Sequence, residues 1–115
     1  MRHRKKAKLA IGKDYSRRKM RQYSNALVLH ERIETTAATG KLIRSHVEKL
    51  ITKGKLQTVA TRRAITTVVG PKATKIVVDT MAKEYENRKG GFTRIIKSKT
   101  RLSDGSKMAI IAFVK

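Results

Sequence analysis

The chain contains no cysteine and no tryptophan, a single proline, and only five aromatic residues among 115. Without cysteine, disulfides, thiolate metal sites and thiol nucleophiles are excluded. Acidic residues are scarce as well: eight Asp+Glu face 29 Lys+Arg, for a formal net charge of +21. So few carboxylates are poor material for a catalytic cluster. Long hydrophobic runs are missing too. The longest, Met108 to Val114, has seven residues, against the roughly 20 that a membrane span needs. Behind the basic N-terminus only Leu9, Ala10 and Ile11 follow, which is no signal-peptide apolar region. The expectation is a soluble, cytoplasmic chain.

Catalytic patterns fail one by one. His3, His30 and His46 are isolated from any metal-ligand spacing, and neither HExxH nor a nucleophile elbow occurs. A phosphate loop through Gly40-Lys41 needs Gly at 35 and Ser or Thr at 42, where this chain has Thr35 and Leu42. Gly90-Gly91 has no helix after it to cradle an anion. No enzyme activity, metal or cofactor is expected. His46 falls on a helical apolar stripe and reads as a core or boundary histidine. His30 is open between an RNA contact and a helix cap.

What is present is positive charge, unevenly placed. Residues 1–22 hold ten Lys/Arg and Asp14 alone, for +9; residues 23–87 hold eleven against six acids, for +5; residues 88–115 hold eight and Asp104 alone, for +7. Residues 1–13 have too much like charge and too few apolar side chains to pack. They read as a basic arm, with Arg2, His3, Arg4, Lys5, Lys6, Lys8 and Lys13 as phosphate contacts. A solubility tail is the plainer alternative. Residues 14–115 read as one globular domain, and apolar residues at 39% give it a modest core. A chain this long buries roughly two-thirds of its unfolded surface, so a polyanion is expected to complete its stability.

Within the domain, Asp14 or Ser16 is expected to cap a helix to about Val28, with Met20, Tyr23 and Leu27 inward and Arg17, Arg18 and Arg21 on the surface. The segment 31–36 reads as a strand. Thr39 is expected to cap a second helix burying Leu42, Ile43, His46, Val47, Leu50 and Ile51, ended by Gly54. A third helix from about Thr58 places Ala60, Ala64, Ile65 and Val68 inside. A fourth starts at Pro71 and buries Val77, Val78, Met81 and Tyr85. Phe92–Arg101 and Lys107–Val114 form a hairpin about Ser103-Asp104-Gly105-Ser106. The fold class is α+β: a two-layer α/β sandwich in the order helix, strand, three helices, β-hairpin, with a small three-stranded mixed sheet.

A polyanionic partner accounts for the charge, since each neutralised phosphate releases counterions. Candidate contacts in the domain are Tyr15, Arg17, Arg18, Lys19 and Arg21 on the first helix, and Arg94, Lys97, Lys99 and Arg101 on the first hairpin strand. Phe92 and Ile96 of that strand suit a core. Lys97 and Lys99 also suit the blunting of a sheet edge. The aromatics lack the paired strand pattern that stacks single-stranded bases, so shape and phosphate recognition of structured RNA is favoured over sequence readout. A DNA-architectural protein is the competitor, although Leu9 and Ile11 are the arm's only apolar wedges. A membrane-surface role is disfavoured because Tyr15–Val28 lacks a broad apolar face.

Four blocks occur in order: Met1-Arg2-His3-Arg4-Lys5; His30-Glu31-Arg32-Ile33-Glu34-Thr35-Thr36; Gly90-Gly91-Phe92-Thr93-Arg94-Ile95-Ile96-Lys97; and Met108-Ala109-Ile110-Ile111 with Val114. Together the chain resembles the bacterial-type large-subunit ribosomal protein L-seventeen family along nearly its whole length. The resemblance implies a two-layer α/β domain and a structural, non-catalytic role. It implies binding to large-subunit (23S-type) rRNA near the mouth of the peptide exit tunnel, beside neighbouring large-subunit proteins, with no membrane and no small-molecule substrate. The arm Arg2, His3, Arg4, Lys5 matches the family's opening and looks like the segment that threads into rRNA. Ser16-Arg17-Arg18 departs from the family's usual Ser-His-Arg, and Ala7–Lys13 from its Gly/Asn-rich stretch.

Overall fold

The computed structural model describes residues 13–114, with side chains from Ser16 onward. The basic arm expected over residues 1–13 lies outside the described residues except for Lys13, which is already helical. Helix α1 spans Lys13–His30. Asp14 and Ser16 are within it and do not cap it. Its inward side carries Leu27 and Val28, both buried, with Met20 and Tyr23 packed partly against the core. The helix ends where Glu31 turns into the left-handed region (φ 66°), while its N–H still reaches the Leu27 carbonyl at 2.8 Å. This reversal, made without a glycine, turns the chain into strand β1, Arg32–Thr36.

Helix α2 spans Ala37–Gly54. Its N-cap is Thr36, not Thr39: the Thr36 hydroxyl accepts from the Thr39 N–H. The last strand residue thus doubles as the cap and leaves no loop between strand and helix. Ile43, Val47, Leu50 and Ile51 are buried as expected, whereas Leu42 and His46 are only half-buried. Gly54 ends α2 for a packing reason. A Cβ there would meet Val77 Cγ1 at 3.1 Å. The left-handed turn falls instead on Gln57 (φ 55°).

Helix α3, Val59–Val69, opens with a reciprocal capping box between Thr58 and Thr61. Ile65 and Val69 are its buried residues; Ala60 and Ala64 are exposed and Val68 half-buried, so the inward face is narrower than the apolar pattern suggested. Gly70 (φ 84°) then breaks the chain, and Pro71 takes the first position of α4. Helix α4 is α-helical over Pro71–Lys75, widens to π-helical over Ile76–Met81 and closes as α over Ala82–Glu84. The wider turn still presents Val77, Val78 and Met81 to the core, with Tyr85 buried just beyond. The Val78 carbonyl receives a bond from the Gln57 side chain at 2.9 Å, so the turn after α2 serves the irregular helix.

Strands β2, Thr93–Lys97, and β3, Met108–Phe113, form the hairpin. The sheet order is β1-β3-β2 and both pairings are antiparallel. The expected mixed sheet is therefore corrected. β1 and β2 run the same way but never pair, because β3 turns back between them. Ile33, Ile111 and Ile95 align across the three strands and face the helices. Ile96, expected in the core, falls on the opposite side, in register with Ile110, and is 47% exposed. α2 lies across all three strands and also packs on α1, α3 and α4, making it the centre of the helical layer. Gly40 makes that close approach possible: a Cβ there would already touch Ile111 at 3.4 Å.

Candidate nucleic-acid interface

Arg17, Arg18 and Arg21 project from the first turns of α1 and are exposed. Because residues three or four apart share a helix face, Arg17 and Arg21 stand one above the other, with Arg18 beside them. All three border a cavity of about 600 Å³ whose other walls include Met20, His46 of α2, and Thr67 and Val68 of α3. Arg21 also borders a second, shallower depression that contains Asn25, Gly70 and Lys72. The first helix and the α3–α4 junction therefore form one basic surface, and Lys72 joins it. Sequence reasoning passed over Lys72 because it sits in the mildly basic middle of the chain; only the packing of α1 against α3 and α4 brings it near the arginines.

None of these arginines has an acidic partner among the described residues, while several acids are engaged elsewhere. Asp79 holds Arg62 at 2.7 Å and Glu48 lies 3.6 Å from Arg44. Glu48 also accepts from the Thr93 backbone and hydroxyl, and Glu34 accepts from Ser98. Lys19 is half-buried on α1. Lys13 and Tyr15 belong to α1 by backbone, and their side chains lie outside the described residues. So do Arg2, His3, Arg4, Lys5, Lys6 and Lys8.

The hairpin cluster is arranged differently. Arg94 points to the outer sheet face, on the same cross-strand row as Arg32, with Ala112 between them. Lys97 and Lys99 are exposed. Arg101 is occupied: its guanidinium makes a two-pronged contact with Asp104, Nε at 2.9 Å and Nη2 at 2.6 Å, and reaches the Ser106 hydroxyl. Asp104 also accepts from the Ser106 N–H. That donor set holds the Asp104 carboxyl well below the usual carboxylate range. The pair closes the hairpin tip, so Arg101 is spent on local structure. Among the described residues, no residue of the hairpin lines the α1 cavity, and the structure does not gather the two clusters into one site.

A third basic patch was not foreseen. Lys49 and Lys53 of α2 and Lys89 before β2 border a shallow depression that includes Gly90 and Phe92. Lys49 and Lys53 follow one helix face at the four-residue spacing, a signal present in the sequence but hidden by the neighbouring Glu48, which also borders the depression. Lys55 is not free for such a role: its ammonium lies 4.5 Å from the centre of the Phe92 ring and bonds the Arg88 carbonyl. Tyr85 packs on the same ring at 5.1 Å, and its hydroxyl donates to the Val114 carbonyl.

His46 is the one titratable group of the α1 cavity whose proton affinity is clearly displaced. Burial, then the charges of Lys49 and Lys53, push it below its ordinary value. Its Nε2 is buried without a hydrogen-bond partner. Among the described residues no group of His, Asp and Glu could hold a metal ion, and no helix is long and apolar enough to cross a membrane.

The sequence model of the family described as "Ribosomal protein L17" matches residues 19–114. The chain is 44% identical over 102 residues to the "Large ribosomal subunit protein bL17" of Mycoplasmopsis pulmonis, covering 83% of this chain and 85% of the relative. It is 42% identical over 100 residues to the protein of that name from Nautilia profundicola, covering 83% and 82%. With that from Mesomycoplasma hyopneumoniae the identity is 41% over 107 residues, covering 87% and 89%.

Proposed function

Because the chain belongs to the ribosomal protein L17 family, a family of structural proteins and not of enzymes, we propose that it clamps folded large-subunit rRNA by phosphate neutralisation and shape recognition. It is a structural protein of the large ribosomal subunit. The observation that carries the finer reading is the row Arg17, Arg18 and Arg21, exposed and without acid partners among the described residues, in a chain of net charge +21. In this reading α1 and Lys72 grip one stretch of RNA backbone. Arg2, His3, Arg4, Lys5, Lys6, Lys8 and Lys13 act as the arm, 1–13, that threads into rRNA, and 14–115 act as the globular domain that anchors it. Arg94, Lys97 and Lys99 supply a separate contact. The place beside the mouth of the peptide exit tunnel, the neighbouring large-subunit proteins and the cytoplasmic ribosome follow from the family resemblance.

The test is salt-dependent binding of the intact chain to large-subunit rRNA fragments and to duplex DNA. One rRNA fragment should bind more tightly than DNA. Replacing Arg2, Arg4, Lys5, Lys6 and Lys8 by Gln should shrink the log–log salt slope by up to about 4, at roughly 0.7–0.9 per phosphate contact. Equal binding to every nucleic acid with an unchanged slope would sink the arm's role and favour an architectural DNA-binding protein.

A further inference from the structure

The cavity between α1, α2 and α3 combines two features that phosphate binding alone does not need. Its mouth carries Arg17, Arg18 and Arg21, while its walls include Met20, Val68 and the His46 ring. A phosphate is served by the arginines and gains nothing from the apolar interior. A cavity of about 600 Å³ falls within the range of formed ligand pockets, which are mostly apolar with a few polar groups. The piece of RNA that is flat, largely apolar on its faces and flanked by phosphates on both sides is an unstacked base. Sequence-specific RNA recognition targets such bases, which stack on aromatic or His rings and on guanidinium planes.

We propose that this cavity receives one unpaired, unstacked base of the large-subunit rRNA, with Arg17, Arg18 and Arg21 holding the phosphates on either side. The inference rests on the rRNA-binding reading above and adds to it a base-reading pocket. Met20 and Val68 offer apolar contact to the base faces. Burial, then the charges of Lys49 and Lys53, disfavour the protonated form of the His46 ring. Charge complementarity selects the occupant: three exposed arginines without acid partners among the described residues border the cavity.

Two measurements on the full chain bound to transcribed large-subunit rRNA decide the matter. In the first, Thr67, exposed at the cavity edge, is replaced by a photo-crosslinking amino acid, and the cross-linked nucleotide is mapped. A single unpaired nucleotide supports the pocket. Cross-links scattered along paired RNA, or joined to residues 1–12 of the same chain, overturn it and leave the rRNA-binding reading standing. In the second, Thr67→Trp plugs the cavity from its edge. It should weaken rRNA binding about tenfold, the size of one lost base-stacking contact, with an unchanged salt slope because no cation is removed. Unchanged affinity overturns the pocket, and the cross-link decides alone if this variant does not fold. An unsubstituted chain that binds no rRNA overturns both readings.

Discussion

Replacing Arg17, Arg18 and Arg21 together by Gln separates a structural arginine from a phosphate-binding one. Gln keeps most of the side-chain length and nearly the same helix propensity, so α1 should persist. Each of the three is exposed and free of acid partners among the described residues. If each meets one phosphate, the slope of log affinity against log salt falls by about 2.1 to 2.7, at 0.7–0.9 per contact. Between 50 and 200 mM salt the unsubstituted chain should then lose roughly 15- to 40-fold more affinity for rRNA than the triple variant. Arg62→Gln is the matched control, since its guanidinium is held by Asp79 at 2.7 Å; its slope should not change. Filter binding or fluorescence anisotropy across a salt series reads both. The reasoning is refuted if the triple variant keeps the original slope, or if Arg62→Gln lowers it as much per residue as the triple variant does.

Three further outcomes follow from the packing. Ile111→Ala empties the centre of the sheet, where Ile111 is fully buried beside Gly40; urea unfolding should show a loss of about 2–5 kcal/mol, and a loss below 1 would place the core elsewhere. Gly54→Ala sets about 1 kcal/mol of helix propensity against a contact of 3.1 Å with Val77; the contact should dominate, and Val77→Ala in the same chain should reverse the sign. His46 is held below its ordinary 6.5, first by burial and then by Lys49 and Lys53. The unfolded chain therefore takes up that proton more readily than the fold. Its contribution is intact above pH 6.5 and is lost as pH falls below it. The drop in stability between pH 7.5 and 5 should be smaller in His46→Gln, and an equal drop would mean His46 is not the group responsible.

The element order was legible because periodicity and punctuation agreed. Pro71 after Gly70, the apolar positions of α2, and Asp104-Gly105 in the hairpin each carry a local reason for their structure. What was not legible depended on contacts between elements. Thr36 and Thr39 are both good caps, and the choice fell to Thr36 because β1 runs directly into α2. The direction of the sheet turned on which hairpin strand lies in the middle, and no local pattern in β2 or β3 states that. Ile95 and Ile96 are identical in type and adjacent; pairing with Ile111 and Ile110 sends one inward and the other out. The basic surface of α1 was visible as a run of arginines. Lys72 and the cavity were not, since they exist only where α1 meets α3 and α4. Arg101 shows the converse: its charge marked it for RNA, but the carboxylate three residues on uses its guanidinium.

Four of the eight acids tie neighbouring parts of the chain and leave a cationic surface on α1. Glu48 sits where it ties α2 to the start of β2 through Thr93. Asp79 joins α4 to α3 through Arg62, Glu34 joins β1 to the hairpin through Ser98, and Asp104 closes the hairpin tip. Exposed contacts of this kind are weak, too weak to offset the repulsion within a chain of net charge +21. Arginines on α1 that have no acid partner among the described residues remain a cost to the free protein, and that cost is removed when phosphates approach them. Ligand-linked stabilisation then grows with RNA concentration as it does for any partner bound only by the folded state. The feature that weakens the isolated domain is the one that drives its association with rRNA.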